Sequence, residues 1–177
     1  MGNKDLIDPC GLFLGRPELK RMGKIFLDGE RVAEKLKSAA ASAPQGSGRA
    51  RILLQLAADE IRNTGGPYTS VYMYMVSPPP LRDELILEAF SGRPTEHVRI
   101  PVGRGVCGRA VSLGQDQNVG DVGAYPDYIA CNAHTKSELV VLIRAYNNIL
   151  GQIDIDSDHV GPFPPEEEAN VKLIADA

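Results

Sequence analysis

SELVVLIRAYNNILGQIDIDS, residues 137–157, is the stretch whose reading decides the fold. Two runs of branched apolar residues, 139–145 and 149–155, flank Asn147 and Asn148 and read as an antiparallel hairpin. Strand alternation in the second run puts Leu150, Gln152, Asp154 and Asp156 on one face and Ile149, Ile153 and Ile155 on the other. Two carboxylates therefore share one side of a strand whose other side suits a core. Register decides whether Glu138 joins them. A two-residue loop would pair Asp156 with Leu139, whereas a three-residue loop over 146–148 pairs it with Glu138. The longer loop is expected, because Asn148 tolerates the left-handed conformation needed at its last position. On composition alone, a solvated acidic strand face is the somewhat more probable reading of the same acids.

Working outward, residues 165–168 (PEEE) open a last helix, with acids where the helix dipole favours them. Before the hairpin, residues 114–136 carry Gly, Asp, Asn and Pro together with Val119, Val122, Ile129 and Ala130, the pattern of a long loop with internal packing. Residues 103–108 form a glycine-rich turn that leads into a short helix around 110–113. Strands are expected at 70–76, where three prolines then forbid further pairing, at 85–90 and at 97–102. Helical spacing follows Asp28 through Val32, Ala33, Leu36 and Ala40. It resumes after a breaker cluster at 42–48, with Ser47 as its cap and Ile52, Leu53, Leu56, Ala57 and Ile61 on its buried face. The expected division is an irregular arm over 1–23 and one α+β domain of the broader α/β class over 24–177. Its antiparallel central sheet would have the N-terminal helices and the C-terminal helix packed on one face.

A chain of 177 residues, 43% apolar, can bury one core. A formal charge of -4 argues against nucleic acid or an anionic membrane as partner, since both reward a basic patch. No run approaches the roughly 20 apolar residues of a spanning helix, and no signal-peptide core forms before Pro9 and Gly11. A cytoplasmic protein that binds a small molecule is expected. Three scattered cysteines, Cys10, Cys107 and Cys131, do not make a disulfide framework, and reduced thiols are the default.

Three motif readings fail on context. Gly103, Gly105 and Gly108 satisfy a dinucleotide-binding pattern, but no βαβ unit surrounds them: the nearest acids, Asp116 and Asp121, fall in what reads as a loop, and an antiparallel hairpin follows. Asp154, Asp156 and Asp158 imitate a calcium loop, yet His159 stands where Gly is required and Pro165 where Glu is required. Cys131 and His134 would need Cys107 and another ligand such as His97 or His159 to hold zinc, and the usual paired spacing is missing. No resident metal and no cofactor are expected. Two thiols beside an acid cluster suggest redox chemistry.

VRIPVGRGVCGRAV (residues 98–111), DVGAYPDYIAC (121–131), SELVV (137–141) and ILGQIDIDS (149–157) together resemble the GAF-domain free methionine-(R)-sulfoxide reductases. The resemblance covers about the last half of the chain. It implies a single GAF domain in which Cys131 is the nucleophile, while Glu138, Asp154 and Asp156 hold the free amino acid and help protonate the sulfoxide oxygen. Tyr74 would line the substrate. It also implies a sulfenic acid at Cys131, resolved by Cys107 as a disulfide that a thioredoxin-type dithiol reduces. A homodimer is compatible with it. Two positions depart from the family: His97 stands where a further cysteine is usual, and Ser70 is the best match to a substrate-packing tryptophan, a residue this chain lacks altogether. The rival expectation is a non-catalytic GAF sensor for a small amino acid or similar ligand. A third is a thiol switch needing only Cys107 and Cys131.

Overall fold

The structure, a computed structural model, describes residues 26–44, 46, 48–126 and 128–177. The expected arm over 1–23, Cys10 and the cap at Ser47 lie outside the described residues.

Helix α1, Gly29–Ser42, starts where the Asp28 carboxylate accepts the Arg31 N–H at 3.0 Å, closing the first turn. Its buried side is Val32, Ala33 and Leu36. Helix α2, Arg49–Asn63, begins after Gly48 and buries Ala57, Ala58 and Ile61. Ile52, expected on that face, is 55% exposed instead. Strands β1, Ser70–Val76, and β2, Glu84–Ser91, follow. Next come β3, Arg99–Pro101, helix α3, Gly105–Leu113, and strand β4, Gln117–Val119. Strands β5, Ser137–Ala145, and β6, Asn148–Ser157, form the hairpin, and α4, Pro165–Ala175, ends the chain with proline in its first turn.

All six strands form one antiparallel sheet in the order β3-β2-β1-β6-β5-β4, as the α+β reading expected. Its central strands bear two unlike faces. Val71 and Met73 of β1, Leu139 and Val141 of β5 and Ile153 and Ile155 of β6 pack with α1, α2 and α4 in the larger core. Tyr72, Tyr74, Val140 and Leu142 point the other way, toward α3, Cys107 and Cys131. An apolar hollow of about 220 Å³ lies among the first group, lined by Leu36, Leu54, Met73 and Ile174 among others, on the opposite side of the sheet from the thiols. Among the described residues no helix is long and apolar enough to cross a membrane.

Three local readings are corrected. The loop over 114–136 contains β4, which pairs with β5, and a short 3-10 turn at Val122–Ala124. The strand expected at 97–102 is three residues long, and α3 begins at Gly105, so Cys107 sits in a helical first turn rather than in a glycine turn. The β5–β6 loop has two residues, Tyr146 and Asn147, with Ala145 opposite Asn148. The left-handed residue is Tyr146, at φ 55°, not Asn148. Glu138 nevertheless faces Asp156, because Leu150 is an extra residue in β6: Arg144 pairs Ile149 and Ile143 pairs Gly151. This bulge restores the register that a longer loop would have given. It also turns Ile149 onto the carboxylate-bearing face, where it packs beside Leu142. Gly151 is required there, since a Cβ would stand 2.3 Å from the Tyr74 carbonyl oxygen.

Candidate active site

The site is assembled on the second sheet face by register. Glu138 lies opposite Asp156 and Val140 opposite Asp154 across the β5–β6 ladder, while Tyr72 and Ser70 lie opposite Asp154 and Asp156 from β1. Residues opposite one another in an antiparallel pair point the same way, so the three carboxylates share one patch. Helix α3 covers it and brings Cys107. The approach is close: a Cβ on Gly108 would fall 2.3 Å from the Pro101 carbonyl oxygen, so only glycine lets α3 settle against the end of β3. The segment before β5 brings Cys131 and Tyr128 from the other side.

The result is a buried cluster of acids and thiols. Asp154 is fully buried, Glu138 and Asp156 are each 2% exposed, Cys107 3% and Cys131 8%. The Cys107 thiol lies 3.4 Å from Glu138 Oε1, and the Cys131 thiol 4.0 Å from Asp154 Oδ2. The Thr135 hydroxyl donates to Asp156 Oδ2 at 2.9 Å. Asp154 Oδ1 and Asp156 Oδ1 are buried without a hydrogen-bond partner. Burying unpaired carboxylates is costly, so such a cluster signals neutralisation by protons or by a bound cation.

Burial acts first on every ionisable group here. It pushes Glu138 well above the ordinary carboxylate range, reinforced by the charges of Asp154 and Asp156, and does the same to Asp154, reinforced by Asp156. Asp156 is raised to about 7 by burial, with the Thr135 hydrogen bond opposing. Burial and the neighbouring acids also push both thiols up, Cys107 and Cys131 alike, so in this state they are thiols and not thiolates. Arg93 is hydrogen-bonded not to the cluster but to Asp158, by two bonds of 2.7 Å, and its charge acts on Asp156 from there.

All five expected acid and thiol positions therefore meet in space. Tyr74 faces them too, but its hydroxyl is engaged, donating to the His97 carbonyl oxygen at 2.7 Å. Ser70 accepts the Arg93 N–H. The histidines weighed as zinc ligands do not join: His134 and His159 are exposed and His97 is half-buried. Two residues not singled out from the sequence belong here. The Tyr128 hydroxyl is buried with no partner, with Glu138, Asp156, Asp154 and Cys131 acting on it. Gln152, fully buried two residues before Asp154 on the same face, has neither amide atom partnered. Its place in the alternation was visible, but nothing in sequence distinguishes a buried amide from a solvated one.

The space beside the thiols is nearly closed. Ile100, Arg104, Gly105, Val106, Cys107, Ile129, Cys131 and Glu138 enclose about 10 Å³, room for about one water-sized body. As it stands, the space is too small for an amino acid. Chemically the arrangement offers a nucleophilic sulfur, a second sulfur, and carboxylic acids able to give a proton or receive an ammonium.

No family model matches the chain. The free methionine-R-sulfoxide reductase of Escherichia coli (strain K12) is 44% identical over 92 residues, 52% of this chain and 55% of that protein. The chain thus spans about half the length of the curated relatives it matches. Among solved structures, the type II free methionine-R-sulfoxide reductase from Thermoplasma acidophilum is 38% identical, with a TM-score of 0.67 over 72% of this chain and 87% of that one. A solved GAF domain, 29% identical, superposes with a TM-score of 0.70 over 84% of this chain and 85% of its own, so the sheet and its helices are those of a GAF domain.

Proposed function

The chain belongs to the family of free methionine-R-sulfoxide reductases, and from that premise we propose that it reduces free methionine-(R)-sulfoxide to methionine, with Cys131 as nucleophile. The observation that carries this reading is the burial of two thiols against three carboxylates of one sheet face, with no cationic side chain hydrogen-bonded to them among the described residues. Such a face favours a ligand that brings a positive charge and consumes a proton. A free amino acid sulfoxide does both. A sensor that only bound its ligand would have no use for thiols in contact with the acids.

The substrate ammonium is received by the carboxylate cluster, and its charge offsets the field that holds Cys131 protonated. Cys131 Sγ then attacks the sulfoxide sulfur as a carboxylic acid, Glu138 or Asp154, protonates the departing oxygen. Without that proton the oxygen is a poor leaving group. The thiol proton returns to the carboxylate. In sum, thiol and sulfoxide give sulfenic acid and thioether, so atoms and electrons balance. Cys107 next attacks the Cys131 sulfenic acid, forming a disulfide and releasing water, and an external dithiol reduces the disulfide by exchange. His97 supplies no thiol, which leaves Cys107 as the resolving group among the described residues.

Separated epimers of free methionine sulfoxide, offered with dithiothreitol, test the reading. Methionine release is expected from the R epimer, little from the S epimer or from peptide-bound sulfoxide, and none with Cys131→Ser. Equal turnover of a peptide substrate, or none of the free R epimer, would sink it. Cys107→Ser should keep the first turnover but lose thioredoxin-supported cycling.

A further inference from the structure

The acid and thiol groups that face one another also have the donor set and spacing of a metal centre. Cys107 Sγ, a Glu138 oxygen and an Asp154 oxygen all lie within 4.8 Å of one another, each buried. In tetrahedral zinc coordination, bonds of about 2.3 Å to sulfur and about 2.0 Å to oxygen put neighbouring ligand atoms about 3.5 Å apart. The Cys107 Sγ to Glu138 Oε1 separation is 3.4 Å. Cys131 Sγ is 4.0 Å from Asp154 Oδ2 but stands outside this mutually close set. The small space that Cys107, Cys131 and Glu138 line has room for about one water-sized body.

A second observation points to a ligand independently of that spacing. Asp154 is fully buried, and its Oδ1 has no hydrogen-bond donor. A cation at that position would satisfy the oxygen.

We propose that Cys107, Glu138 and Asp154 bind a borderline-soft divalent cation of the zinc type. Thiolate donors select against calcium and magnesium, which take six or more oxygens or retain their waters. Histidine plays no part, unlike the zinc site first weighed from the sequence. Binding is a simple exchange in which the metal enters as the Cys107 thiol and the acids release protons. With Glu138 and Asp154 coordinated, neither can receive an ammonium or protonate a sulfoxide, so the bound metal and sulfoxide reduction exclude each other.

The test uses reduced, chelator-stripped full-length protein titrated anaerobically with cobalt(II), a spectroscopic stand-in for zinc. A thiolate-to-cobalt charge-transfer band and strong tetrahedral visible bands are expected, saturating near one metal per chain at micromolar concentrations and erased by zinc. Cys107→Ala and Asp154→Asn should each weaken binding at least tenfold. Glu138→Gln is the substitute should either fail to fold by circular dichroism. Cys10→Ala, His97→Ala and His159→Ala should leave the spectrum unchanged. Octahedral cobalt without a sulfur band would overturn the proposal, and so would an unchanged band in Cys107→Ala or a band lost in Cys10→Ala. Because the spectrum is read without turnover, a protein that binds cobalt but reduces no sulfoxide would refute the reductase reading alone. One that reduces sulfoxide but never binds cobalt would refute the metal site alone.

Discussion

Asp156 is the residue at which pH should act most visibly. Its carboxyl is raised to about 7 while an exposed aspartate titrates near 3.8, so between those values the folded chain keeps a proton that the unfolded chain has lost. Its contribution to stability is greatest below the ordinary value, falls as pH rises, and becomes a full cost above about 7. Glu138 and Asp154 are pushed in the same direction and deepen the trend. Melting temperature is therefore expected to drop between about pH 5 and about pH 8. Asp156→Asn, which keeps an acceptor for Thr135, should shrink that drop and melt higher than wild type at the alkaline end. A wild-type melting curve that rises with pH over this range would contradict the assignment. Cys131 supplies a second prediction at this scale. Burial and three nearby acids hold it as a thiol, so alkylation by iodoacetamide at neutral pH should run at least tenfold slower than for a small free thiol. Asp154→Asn should speed it, and rates that matched the free thiol would mean the cluster is open or neutralised. What sequence could show of these residues was their spacing. Burial decides their chemistry, and burial depends on α3 and residues 120–136, whose placement no local pattern encodes.

At the scale of elements, β6 explains both the success and the error of the sequence reading. Asp154 and Asp156 alternate with Ile153 and Ile155, so the sharing of a face was legible from period alone. The Leu150 bulge was not, because an extra residue in a strand leaves no mark in composition, and Gly151 beside it reads equally as an ordinary turn-prone glycine. Strand β4 was missed for a related reason: three residues at a sheet edge, half of whose backbone faces away from pairing, carry too few apolar side chains to alternate. Helix α4 hides a different feature. Glu166 and Glu168 sit where acids flatter a helix dipole, but Glu167 is buried and accepts from the Tyr68 hydroxyl and from the Phe26 and Leu27 backbone N–H groups. It ties the approach to α1 and the approach to β1 onto α4. Glu167→Ala would leave those donors without acceptors at a cost on the order of 3 kcal/mol, measurable in urea unfolding. A loss below about 1 kcal/mol would mean that water replaces the carboxylate.

The molecule as a whole places structural strength and chemistry on opposite sides of one sheet. Helices α1, α2 and α4 seal one side around an apolar core, and the other is closed by α3 and an irregular segment with few ladder bonds. Entry of a ligand should therefore require movement only on the second side. Hydrogen exchange with saturating methionine or methionine sulfoxide should slow at residues 120–136 and the start of α3, with α1, α2 and α4 unchanged. Uniform protection of every element would point instead to general tightening, and protection confined to the helices around the 220 Å³ hollow would move the ligand to the wrong side. One further consequence comes from the aromatic residues around the acids. The chain has no tryptophan and six tyrosines, and Tyr72, Tyr74 and Tyr128 stand against the cluster. Its ultraviolet emission is thus tyrosine light, with half of the emitters beside carboxyl groups, which quench phenol fluorescence most when ionised. Whatever neutralises or occupies those acids should brighten or dim the protein directly, so the site carries its own optical gauge and needs no attached dye.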